Sequence, residues 1–229
     1  MKQRQHYISQ RHLSYWSSTK ESIYRCDIKT GEIKFLPIKK VANKINGWTT
    51  ELENPFFSEF EGQYPKVIKW LEARKKITSE IELFLKKLKS ILYSRVPKQK
   101  RNTDRIANEL SSFVNRKPTI NDNTMTMLAT LTEHSAILNN NRHYVVIAIA
   151  PKDSTFVITD NPGARCLPLT PKMCLLLHTI EEVKNKERYF PVDTEIVSKI
   201  NEENIRMADN YVFSLEENHP DIIKYLKQK

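Results

Sequence analysis

The sequence predicts an α+β protein: two β-hairpin-rich parts forming a small sheet, a helical block inserted at about 54–138, and a C-terminal helix. Three observations carry this. Alternating runs flank a Lys29-Thr-Gly-Glu32 turn near the amino terminus. Apolar residues between Phe56 and Leu138 recur at three- and four-residue spacing. Strand-like apolar runs then return at Tyr144–Ala150 and Met173–His178. At 229 residues the chain can bury a substantial core, and no composition break divides it, so one domain is expected over 1–229.

Taken in order, His6-Tyr7-Ile8 reads as a short extended segment, and Ser9 caps a short helix bearing Leu13 and Trp16. Ser22–Ile28 and Ile33–Ile38 form a hairpin whose second strand, with Pro37, lies at an edge. Asn43–Trp48 reads as a loop. A helix from Pro55 to Arg74 presents Phe60, Tyr64, Val67, Ile68 and Leu71, and Pro65 is expected to kink or split it. Ser79–Ser94 forms a second helix, with Phe84, Leu85, Leu88, Ile91 and Leu92 on one face. A basic linker at 95–105 and two further helices, at about 103–115 and 122–138, follow. Tyr144–Ala150, apolar on both faces, is expected to be a central strand, joined to Thr155–Ile158 as a second hairpin across Pro151–Ser154. Met173–His178 is a third strand, and 181–190 a charged loop. A long helix is expected from Thr194 to Phe213, and a short one from Asp221 to Tyr225.

Composition narrows the function classes. No apolar run is long enough to span a bilayer, so no membrane partner is expected. The polar start Met1–His6 leads into no apolar signal region, which points to the cytoplasm. Cys26, Cys166 and Cys174 lack Cys-x-x-Cys spacing, so they read as reduced thiols, with Cys174 a buried one. The net charge of +10 suits a nucleic-acid partner. Oligomeric state leaves no signature here.

Several motifs then fall in a telling order: His6-Tyr7-x-x-Gln10 with Leu13, Ile23-Tyr24 and the hairpin, and Glu59 or Glu61 on an early helix. Arg95-Val-Pro97, Phe156-Val-Ile-Thr-Asp-Asn-Pro162, Pro168-Leu-Thr-Pro-Lys172, and Asn201 and Ala208 before Val212-Phe213-Ser214 follow. In this order the chain resembles the bacterial domain-of-unknown-function family 4238 over nearly its whole length. Ser9 stands where the family usually has proline, and Ser94 where many members have glutamine. The resemblance implies an architecture and a set of candidate residues, but no reaction.

No phosphate loop, dinucleotide fingerprint, nucleophile elbow or His-Glu-x-x-His is present. His6 and Gln10 are candidates for acid–base work and positioning, against a purely structural histidine. Asp160 and Asn161 are candidates for oxygen ligation of magnesium, against an Asx-turn fixed by Pro162. Asn201 either bonds the Asp160 turn or faces a cleft. Lys86, Lys87, Lys89, Arg95, Lys98, Lys100, Arg101 and Arg105 form a basic stretch able to track a phosphate backbone, against a merely solvated face. Arg95 alone is expected to turn inward to a carboxylate. The first reading is a nucleic-acid-acting, metal-dependent nuclease-like hydrolase with catalytic His6, Gln10, Asp160, Asn161 and Asn201, in a bacterial defence or toxin-like setting. The alternatives are a non-enzymatic RNA- or DNA-binding protein and a protein-interaction module.

Overall fold

The computed structural model describes residues 4–45, 58–95, 101, 105, 143–162, 166–178 and 188–229. Within them the α+β class holds, with three sheets. β1 (Arg4–His6) pairs antiparallel with β4 (Asn43–Ile45), so the stretch expected as a loop begins as a strand. Between them lie α1 (Gln10–Leu13) and the hairpin β2 (Ser22–Asp27) and β3 (Ile33–Pro37). Ser9 caps α1 by accepting the His12 N–H at 3.1 Å. Asp27 takes the N–H groups of Lys29 and Thr30, and Gly31 supplies the positive φ (75°) that closes the hairpin turn.

α2 (Ser58–Glu72) runs through Pro65 as one helix. Proline has no N–H for the Glu61 carbonyl, yet burial of Tyr64, Val67, Ile68 and Leu71 keeps the helix unsplit. α3 (Ser79–Arg95) packs beside it through Phe84, Leu85, Leu88 and Leu92. The two later helices and the basic linker expected between 96 and 142 lie outside the described residues, except Arg101 and Arg105.

The remaining strands are β5 (Tyr144–Ile149), β6 (Ile158–Thr159), β7 (Leu167–Thr170), β8 (Met173–His178), β9 (Tyr189–Pro191) and β10 (Tyr211–Ser214). With β2 and β3 they make two four-stranded sheets, β3-β2-β10-β6 and β7-β8-β5-β9, rather than one small sheet. β5 lies centrally, antiparallel to β8 and parallel to β9, so part of the expected charged loop is an edge strand. Helices α2 and α3 cover one face of this sheet at Val145, Ile147, Leu167 and Leu175. α4 (Thr194–Met207) covers the other at Ala148 and Cys174 through Val197 and Ile200. Burial from both sides explains why β5 is apolar throughout.

Two expectations fail, for one reason. Thr155–Ile158 does not pair with β5; the chain leaves the second sheet after Ala150 and enters the first as β6, against β10. The expected long helix ends at Met207, and Tyr211–Ser214 is β10, inserted between β2 and β6. Tyr, Val and Phe fit a buried central strand better than a helix end. α5 (Pro220–Lys227) closes the chain over Cys26, Val212 and Ile205. No helix among the described residues is long and apolar enough to cross a membrane. All three cysteines are free thiols, with Cys26 and Cys174 buried.

Candidate functional site

The polar motif residues divide into two groups. The first ties down the segment 151–162, where the chain crosses between sheets. Lys172 Nζ donates to the carbonyls of Pro151, Lys152 and Ser154 at 2.9, 2.8 and 2.6 Å. Asn201 Oδ1 accepts the Val157 N–H at 3.0 Å, while its Nδ2 donates to Thr155 O at 2.8 Å and to Asp221 at 2.7 Å. Asp160, with no exposed surface, accepts the N–H groups of Asp209 and Asn210 at 2.7 and 2.8 Å. Asn161 Nδ2 donates to Met207 O at 2.8 Å. Burial lifts the Asp160 carboxyl above its ordinary range, against the pull of the surrounding backbone N–H groups.

These bonds give Asp160, expected as a magnesium ligand, a structural role. Both oxygens of Asp160 face main-chain donors in the interior, and among the described residues no group of three His, Cys, Asp or Glu side chains is arranged to hold a metal. The Asx-turn alternative is also modified, because the donors lie about fifty residues away. Asn161 and Asn201 likewise sit on main chain, and Asn201 reaches 155–157 rather than the Asp160 turn.

The second group meets at an open pocket of ≈ 360 Å³ lined by His6, Ser9, Gln10, Arg11, Ser58 and Glu61. Beneath it Arg95, only 2% exposed, donates to the Glu61 carboxylate and to the His6 carbonyl. One guanidinium thus joins β1, α2 and the last turn of α3. Its planar fork serves two acceptors in fixed directions. Arg11 lies across Gly62 of α2, its Nη1 3.2 Å from where a Cβ would stand. The absence of a side chain there lets the guanidinium reach the pocket edge.

His12, two residues from Gln10 and so on the opposite, inward face of α1, is a buried residue that the sequence reading passed over. Its Nε2–H donates to Pro168 O at 2.9 Å, and its ring packs 4.8 Å from Tyr64 and 5.4 Å from Trp16. Nδ1 has no partner, so protonation would create a buried donor without an acceptor. Burial pushes its pKa down to about 4. The unfolded chain, with an ordinary value of about 6.5, binds this proton more readily. Stability is therefore full above about pH 6.5 and falls as pH drops toward 4, by about 3 kcal/mol from this residue. Urea unfolding from pH 7 to 4 should show that loss, and His12→Gln should flatten it.

The residues of the expected basic stretch divide between interior and surface. Lys86, Lys89 and Arg95 are buried; Lys86 pairs with Glu82 at 3.1 Å, and burial pushes Lys89 down to about 8. Arg101 is exposed but bidentate to Asp209 at 2.8 Å. Lys87 and Arg105 are exposed, and Lys98 and Lys100 lie outside the described residues. Lys86 and Lys89 alternate with Leu85 and Leu88 along α3, and the long apolar stem of a lysine allows such burial.

The molecule is thus an α+β protein with sealed polar clamps and an open pocket bordered by His6 and Glu61. A family model described as "Protein of unknown function (DUF4238)" matches residues 4–218, and the chain belongs to that family. No curated protein and no solved structure matches it.

Proposed function

We propose that the protein hydrolyses phosphodiester bonds of nucleic acid at the His6–Glu61 pocket, by acid–base chemistry of its own side chains. What supports this reading is convergence: His6, Gln10 and Glu61 border one open polar pocket above the buried Arg95, whereas Asp160, Asn161 and Asn201 are engaged with main chain. In this reading the Glu61 carboxylate takes the proton of an attacking water and the His6 imidazole protonates the leaving oxygen. Arg11 meets the non-bridging phosphate oxygens, and Gln10 orients the water. The Asp160 carboxylate takes no part.

The test uses end-labelled RNA and DNA at about 50 mM salt, where charge-driven binding is strong, with magnesium or with chelator. Shortening that survives chelation is expected. His6→Ala should reduce it on the order of a hundredfold or more, with an unchanged far-ultraviolet spectrum. Wild-type protein that leaves both polymers intact would overturn the reading, and retention without shortening would favour a binding protein instead. Equal cutting by His6→Ala would remove His6 from the site.

A further inference from the structure

Gln10 borders a second pocket as well. This second hollow, of ≈ 460 Å³, is also walled by Lys20, Glu21, Ser22 and Lys39 together with Pro37 and Ile38. The two hollows share one side chain, so they adjoin, and together they are termed the groove. Charge along that groove differs from charge along α3. Lys20 and Lys39 are exposed, and neither makes an ion pair among the described residues, nor does Arg11. Among the described residues, Glu21 is the one carboxylate that lines the second hollow, and Glu61 in the first is held by Arg95. Three unpaired cations therefore face the groove, whereas Lys86, Arg95 and Arg101 are already matched with carboxylates.

Lys20 adds a local oddity. Its φ is 63°, a left-handed conformation that a residue with a Cβ adopts at a cost of about 1 kcal/mol or more and that glycine adopts freely.

Building on the function proposed above, we infer that the substrate is a single strand spanning both hollows, with the scissile phosphate at His6 and the neighbouring phosphate held by Lys20 and Lys39. Each hollow has the size of a small-molecule site, and a duplex would have to be opened to place a nucleotide in either. Unpaired ammonium groups on flexible stems suit phosphate oxygens, which carry charge without sequence information, so little sequence preference follows.

The experiment compares wild type with Lys20→Gly/Lys39→Gln. The glycine relieves the left-handed strain, so the variant should melt no lower than wild type, and lost binding cannot be assigned to unfolding. Two substrates are used: an end-labelled single-stranded 12-mer, and bis(p-nitrophenyl) phosphate, which fills the first hollow alone. The variant should lose about tenfold in 12-mer affinity, and its log–log salt slope should shrink by about 0.7, the share of the one phosphate that the two lysines hold. Hydrolysis of bis(p-nitrophenyl) phosphate should not change. A variant that keeps wild-type affinity and slope, or that loses both substrates equally, overturns the second subsite while leaving the His6 pocket standing. Wild-type protein inert toward both substrates removes the underlying function, and this inference with it.

Discussion

Asp160→Ala should lower the free energy of unfolding by about 3–5 kcal/mol. The carboxylate has no exposed surface, and each oxygen holds one main-chain N–H, from Asp209 and from Asn210. Alanine leaves both donors in the interior without acceptors, and each costs about 1–3 kcal/mol. The damage extends beyond two bonds. Asp209 and Asn210 form the turn that ends α4 and starts β10, and β10 is the strand that joins β2 to β6. Asp209 also carries the bidentate pair to Arg101, so a loosened turn releases that contact. Asp160→Asn should recover only part of the loss, because one of its two acceptors becomes an NH₂ facing an N–H. Denaturant unfolding with and without magnesium separates this role from metal ligation: a clamp gives the same loss in both. A loss under about 1 kcal/mol would show that the turn holds without the clamp.

The same residues show what the sequence made legible. Elements defined by local periodicity emerged with nearly correct bounds: the β2–β3 hairpin, α3, the central strand β5, and the capped start of α1. Each is set by alternation, helical spacing or a cap within its own residues. Elements defined by distant pairing did not. Tyr211–Ser214 continues the helical spacing of α4, and only the slot between β2 and β6 makes it a strand. Thr155–Ile158 alternates well enough to pair with β5, but Asn201 and Lys172 hold its neighbouring backbone elsewhere. β4 is three residues long and exists through its register with β1.

The site was half legible for a similar reason. His6 and Gln10 stood out because their residue types suit chemistry. So did Asp160 and Asn201, yet both are bonded to main-chain groups fifty residues away or so, and Asn201 to the Asp221 carboxylate as well, which no spacing rule reveals. Glu61 carries no local signal that sets it apart from Glu59, because its partner Arg95 lies 34 residues on. Arg11, Lys20 and Lys39 gave no signal at all, because a groove gathers charges that the chain scatters, whereas the dense run on α3 is largely buried.

Arg95→Ala should have the second large effect, on stability and on the pocket together. The guanidinium is buried, and it holds Glu61 on α2 and the His6 carbonyl at the end of β1. Removing one member of a buried ion pair costs about 3–5 kcal/mol because the other charge stays behind unmatched. Here Glu61 keeps 22% of its side-chain surface and can turn toward water, so a loss near the lower end, about 3 kcal/mol, is expected. Arg95→Lys should rescue little, since one ammonium on a flexible stem cannot reproduce a planar fork that bonds two separated acceptors. Arg95→Met with Glu61→Gln should recover part of the stability, because no charge is left unmatched in the interior. It should recover no activity, because the carboxylate that the proposed chemistry uses is gone. Measuring unfolding and cleavage on all three variants distinguishes a tie that only holds the fold from one that also sets the geometry of His6 and Glu61. In the second case Arg95→Lys, kept folded at low temperature, should still cut poorly. Wild-type cutting by folded Arg95→Lys would confine Arg95 to stability.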